Sequence, residues 1–203
     1  MNLNYTLAQW GPLLLKTEIT EDLRLNILER SKGLNQPLDH RLSNLEEEYN
    51  FDDDSVNFLK TALQPYFDMY VNVYERNWSS NNIGNKKLTL VNAWINIQKQ
   101  NEWRPPHYHS DCDASFVLYL DIPDLSKEIN NLKDVDMQYC PGNIVFRYFS
   151  TDQHKDIFKS TDYLAYYPSN RDFIIFPANL DHYTNPFKTD TTRLSVSGNL
   201  KVI

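Results

Sequence analysis

The spacing of apolar residues changes character near residue 80. Before that point they recur at steps of three or four, the period of a helix with one buried face. Thr20 followed by Glu21-Asp22 reads as an N-cap with an acidic first turn. Leu23, Ile27 and Leu28 continue that helix, and Gly33 stops it. A longer stripe of Val56, Leu59, Leu63, Phe67, Tyr70, Val71 and Tyr74 predicts a second helix starting near Asp53, Asp54 or Ser55. Pro65 inside it predicts a kink or a split into two. Residues 11–19 read as an extended strand. Leu38 to Asp54 is polar and weakly periodic, which predicts a loop with a short helix.

After the turn-forming run Ser79-Ser80-Asn81-Asn82 and Gly84-Asn85, the chain shifts to short β-branched and aromatic segments: 88–98, 115–121, 143–149, 173–177 and 192–202. Several short strands separated by Pro, Gly, Asn and Asp predict a sandwich or barrel with helices outside it. The expected organisation is one domain over residues 1–203: a mostly helical part, 1–80, packed on a β core, 81–203.

Composition narrows the possibilities. A chain of 203 residues can bury a core without staples. The net charge of −7 argues against broad nucleic-acid binding, which needs a basic face, but leaves room for a local basic pocket. Cys112 and Cys140, the two cysteines, make neither a disulfide framework nor a Cys-rich metal site. They read as reduced thiols of a cytoplasmic protein. A signal peptide and a membrane span are not expected, because no basic-then-apolar leader and no apolar run near 20 residues occurs.

Two of the five histidines fall in the stretch PPHYHSDCD, residues 105–113. On a strand, His107 and His109 project to the same face, and imidazole is the commonest metal ligand. A third ligand is expected from His182, at the turn after the apolar segment 173–177. His40 and His154 lie in polar loops and read as surface residues. Arg193 alternates with Leu194, and Ser195 and Ser197 extend a polar strand face. An inward-facing Arg in a β core needs an anion, and a carboxylate suits its planar fork, with Ser195 able to donate to the same group. Cys112 lies near these residues, but no separate His–acid pair activates it, so it reads as a small filler.

Together these residues resemble the Fe(II)- and 2-oxoglutarate-dependent dioxygenases. The resemblance rests on a distal His182 followed by Arg193-x-Ser195. It rests also on Trp94-Ile-Asn96, Pro105-Pro-His-Tyr-His109, Ser115-Phe-Val-Leu-Tyr-Leu120 and Phe176-Pro177. These motifs are closest to a subfamily of 2OG-Fe(II) oxygenases from marine bacteria and their phages, and cover roughly residues 88–200. The resemblance implies a mainly β fold with flanking helices, a double-stranded β-helix (jelly-roll, cupin-like) core. It implies Fe(II) as metal and 2-oxoglutarate as co-substrate, with Arg193 holding the far carboxylate and Tyr119 bonding a co-substrate carboxylate. The reaction it implies is hydroxylation of a C–H bond in a small molecule or protein side chain, with succinate formed. Trp94 and Asn96 are candidates to line the pocket.

The sequence departs from the family at the carboxylate ligand, which usually stands two residues after the first His. The set His107, His109 and His182 puts a histidine there. The set His109, Asp111 and His182 satisfies the ordinary triad, and Asp113 could also fold back. The alternatives to an oxygenase are a cupin-like metal-binding protein and a catalytically inactive binding scaffold.

Overall fold

A computed structural model describes residues 5–9, 11–38, 43–77, 86–148 and 163–203. His40, His154, Phe149 and the whole turn-forming run at 79–85 lie outside the described residues. In chain order the elements are β1 (Tyr5–Gln9), β2 (Leu13–Glu18), α1 (Glu21–Arg30), β3 (Glu47–Asn50), α2 (Asp53–Asn77), β4 (Leu88–Gln98), β5 (Arg104–His107) and β6 (Ala114–Asp121). They continue with α3 (Ser126–Asn130), β7 (Ile144–Arg147), β8 (Tyr163–Tyr166), β9 (Asp172–Pro177), β10 (Asp181–Thr184) and β11 (Arg193–Val202).

The strands form two antiparallel sheets of a jelly roll. The larger has the order β1-β2-β9-β6-β11-β4-β3 and the smaller β5-β10-β7-β8. Residues directly opposite across strands share a face, so the register sorts side chains into rows. On one face of the larger sheet, Ile95, Val196, Leu118 and Phe173 form a row. That face packs on the helices, chiefly α2 through Leu63, Tyr66 and Phe67. Gly198 sits in the neighbouring row, where an added Cβ would lie 2.5 Å from the Phe116 ring and 2.9 Å from the Asn92 carbonyl oxygen. The opposite face looks toward the smaller sheet. There Gln98 pairs Arg193, Asn96 pairs Ser195 and then Tyr119, and Trp94 pairs Ser197 and then Val117.

Helices α1 and α2 begin as the sequence predicts, while α3 is not among its expectations. Thr20 Oγ1 accepts from Leu23 N at 3.3 Å, and Asp52 Oδ1 accepts from Ser55 N at 2.7 Å. Three expectations need correction. Pro65 does not split the second helix, which runs unbroken from Asp53 to Asn77. Pro65 lies on the solvent side between the buried Leu63 and Tyr66. Water can satisfy the carbonyl it orphans, and core packing on either side outweighs a cost of about 3 kcal/mol. The stretch 38–54 holds the edge strand β3 and, among the described residues, no helix before Asp53. Its backbone finds a ladder partner in β4, which local polarity does not announce. The amino-terminal part is also more than a helical cover, since β1, β2 and β3 are three strands of the larger sheet. Among the described residues, no helix is long and apolar enough to cross a membrane.

Candidate metal centre and its cavity

His182 stands on β10, directly opposite His107 on β5 and Phe146 on β7. Register alone therefore sets two imidazoles side by side, and their ring centroids are 4.2 Å apart. His109 arrives differently from the prediction. β5 ends at His107, so His109 is a loop residue and not a second same-face strand position. Its backbone N–H donates to the Ala178 carbonyl at 2.8 Å, just beyond β9, and this anchors it at the cluster. Its ring centroid is 5.3 Å from both other imidazoles and 6.1 Å from Trp94. One ligand atom from each of the three lies within 4.8 Å of the other two.

Local bonds fix two of the rings. His107 Nδ1 and His182 Nδ1 each lie 2.8 Å from the carbonyl oxygen two residues upstream, of Pro105 and Leu180. A carbonyl only accepts, so each Nδ1 carries a proton, and in a neutral ring Nε2 then carries the lone pair. Burial, and then the neighbouring His107 and His109, hold the His182 pKa well below the ordinary imidazole value of 6.5. His182 is therefore neutral at pH 7. Phe176, edge-on at 4.7 Å, and Phe146 at 6.0 Å shield it.

The two candidate carboxylates stay out of the cluster. Asp111 is exposed. Asp113 Oδ2 accepts from Val202 N at 2.7 Å and serves the end of β11. Cys112 is half-buried, with Sγ 3.6 Å from Ser115 Oγ, and takes no place in the cluster.

The three histidines open on a cavity that Tyr119, Arg193 and Ser195 also line. Arg193 is buried, 4% exposed, with no ion-pair partner among the described residues. Nη1 donates to the Gly142 carbonyl at 2.7 Å, Nε has no partner, and the guanidinium lies 5.7 Å from the Tyr119 ring. Burial pulls its pKa down, partly countered by Tyr119 and Tyr167. The Tyr119 hydroxyl is fully buried without a partner, and burial raises its pKa strongly. Among the described residues five buried side-chain atoms lack partners, and three of these belong to cavity residues: Gln98 Oε1, Tyr119 Oη and Arg193 Nε. Native proteins satisfy most buried polar groups, so these atoms hold hydrogen-bonding capacity that a polar ligand or water can meet.

Trp94 and Asn96 also line the cavity. Trp94 Nε1 donates to Asn96 Oδ1 at 3.1 Å, and Asn96 Nδ2 donates to Ser197 Oγ at 3.0 Å. Three further residues are not singled out by the sequence reading. Gln98 continues the period-two series Trp94, Asn96, Gln98, a signal that could have found it. Its Nε2 is held by the carbonyls of Glu102 (2.6 Å) and Asn185 (3.1 Å). Arg104 lines the cavity through a β-bulge, and Glu48 pairs with it from β3. Only tertiary register reveals that pair.

Known proteins extend these observations. Residues 92–199 match the family described as "Putative 2OG-Fe(II) oxygenase". No curated protein matches the chain in sequence. Among solved structures, the viral collagen prolyl hydroxylase vCPH from Paramecium Bursaria Chlorella virus-1, in its 2OG complex, aligns with a TM-score of 0.57 at 14% identity, over 94% of this chain and 96% of its own. A Pseudomonas putida prolyl-4-hydroxylase aligns with a TM-score of 0.52 at 12% identity, over 98% and 93%. HygX from Streptomyces hygroscopicus, with nickel and 2-oxoglutarate bound, gives 0.51 at 12%, over 93% and 82%. At these identities the likeness is one of fold.

Proposed function

This chain belongs to the 2OG-Fe(II) oxygenase family, and from that premise we propose that it hydroxylates a C–H bond of a small molecule or protein side chain. In this proposal His107, His109 and His182 hold the metal, and Arg193, Tyr119 and Ser195 hold the co-substrate. One observation carries it: a single cavity contains three clustered imidazoles and a buried guanidinium with no carboxylate partner among the described residues.

The residues fit the group. His182 is neutral, and its Nδ1 bond leaves the Nε2 lone pair for an ion, while the matching Nδ1 bond of His107 turns its Nε2 to the same role once the ring is a ligand. Imidazole suits Fe(II). The orphaned Arg193 Nε–H and Tyr119 O–H are donors that a carboxylate would satisfy. The chemistry that iron and 2-oxoglutarate supply when bound is oxidation of a substrate C–H bond by dioxygen, with decarboxylation to succinate.

The chain's own contribution is position and environment. Arg193, fixed by the Gly142 carbonyl, binds the far carboxylate, and Tyr119 and Ser195 donate to it. The carbonyls of Pro105 and Leu180 keep the two imidazole tautomers. Phe146, Phe176 and Trp94 exclude water from the ring edges.

Anaerobic titration of the protein with Fe(II) and then 2-oxoglutarate tests this. The expected result is a weak visible band on adding 2-oxoglutarate, absent in His182→Ala. Iron binding without the band would favour a cupin-like metal protein. No iron binding would discard the three-histidine site.

A further inference from the structure

The cavity has a second guanidinium that the co-substrate does not need. Arg104 begins β5, the edge strand of the smaller sheet. His107 pairs His182 and Arg104 pairs Thr184, so three steps on β5 oppose two on β10. The extra residue is a bulge at Pro105-Pro106. Prolines donate nothing to a ladder and are tolerated at such an edge. The bulge turns both His107 and Arg104 into the same cavity, which strict alternation would not do.

Arg104 is buried, 9% exposed. Its Nη1 pairs with Glu48, itself buried on β3, which ties the edges of the two sheets together. Its backbone N–H donates to Thr184 Oγ1 at 3.0 Å. A guanidinium offers five donors. The Nε and Nη2 groups of Arg104 make no bond to the described residues and are not among the sealed buried atoms. Arg104 itself lines the cavity. Glu48 offsets the cost of burying the charge and leaves the other edge of the fork unused.

The electrostatics of the lining agree. The chain has 27 acidic residues, yet no described residue lining this cavity is Asp or Glu, while Arg104 and Arg193 both do so. With a neutral histidine where the usual facial triad has a carboxylate, the site lacks one negative charge. Iron, both arginines, Glu48 and doubly charged 2-oxoglutarate together leave one positive charge uncompensated.

We propose that Arg104 forms the anion-binding end of the substrate subsite, and that the substrate carries an oxyanion, a carboxylate or a phosphate monoester. This rests on the proposal that Arg193 holds 2-oxoglutarate. A carboxylate completes the balance and a phosphate monoester exceeds it by up to about one charge, and the oxygens of either match the unused edge of the Arg104 fork.

The test uses protein loaded anaerobically with Fe(II) and 2-oxoglutarate. Acetate, benzoate, phenyl phosphate and inorganic phosphate are titrated beside acetamide, benzamide and phenol, following the visible band and the melting temperature. At least one anion should shift both, with its neutral counterpart inert. Glu48→Gln/Arg104→Gln removes both members of the buried pair, so neither is left as an unpaired charge. It should bind that anion at least tenfold more weakly while its 2-oxoglutarate affinity stays within threefold. Arg104→Lys, which keeps the charge but not the fork, should fall between. The proposal is overturned if no anion registers, if amides act equally, if the double variant keeps the response, or if it loses 2-oxoglutarate instead. Should the wild type form no 2-oxoglutarate band, the co-substrate assignment fails. Melting temperature of the metal-loaded protein then still reads the anion response of Arg104.

Discussion

The two faces of the seven-stranded sheet are built from the same strands and do opposite things. Toward the helices, rows such as Ile95, Val196, Leu118 and Phe173 are apolar and sealed, with Phe67 of α2 in ring contact with Phe116 and Phe173. Toward the cavity, the rows Gln98–Arg193 and Asn96–Ser195–Tyr119 are polar and hold unpaired buried atoms. The first face stabilises the fold through area removed from water. The second carries unmet hydrogen-bonding capacity, a cost that folding alone does not recover and that a ligand offsets. Stability and binding are thus separated by one residue step along each strand.

That separation can be broken or sharpened by substitution. The largest expected effect is Phe67→Ala, a loss of about 3–5 kcal/mol in urea unfolding. Its folded fraction should bind 2-oxoglutarate within twofold of wild type, and a large binding defect would show that the faces are coupled. Arg193→Ala should cost about 1.5–3 kcal/mol of 2-oxoglutarate affinity, from the loss of charged hydrogen bonds. Its melting temperature should hold or rise, because a buried charge without a carboxylate is removed. A marked fall in melting temperature would make Arg193 structural. Tyr119→Phe deletes an orphaned hydroxyl and should weaken 2-oxoglutarate by about 0.5–1.5 kcal/mol without loss of stability. The smallest effect belongs to Asp111→Asn, with Fe(II) affinity expected within twofold. A large fall in iron affinity would move the metal onto His109, Asp111 and His182.

The helix face is legible in the amino-acid sequence because its periods are long. The stripe on α2 and the alternation in β4 and β11 give each residue several in-phase neighbours. Short elements lack that redundancy: β3 is three polar residues and Tyr49 beside β4, and β5 is four residues containing two prolines. At the site, spacing picks out His107, His109 and His182, but not how they meet. His109 reaches the cluster from a loop pinned to Ala178, not by strand alternation. Spacing does not separate Asp111 or Asp113 from His107 either. In the fold Asp111 is exposed, Asp113 accepts from Val202 N, and the three imidazoles cluster. Arg104 and Glu48 lie 56 residues apart and are joined only by the meeting of two sheet edges.

A cavity with no acidic residue among its described lining, inside a chain of net charge −7, also shapes how a ligand arrives. Across the screening length of about 8 Å at physiological salt, an approaching anion meets the repulsion of the whole molecule before the attraction of the two arginines. Encounter and residence should therefore respond differently to ionic strength. Added salt at low concentration should speed the association of 2-oxoglutarate by screening the outer field. Its dissociation, governed by contacts within the walls, should change little. This is the reverse of the usual electrostatic steering of a ligand toward a surface of opposite charge.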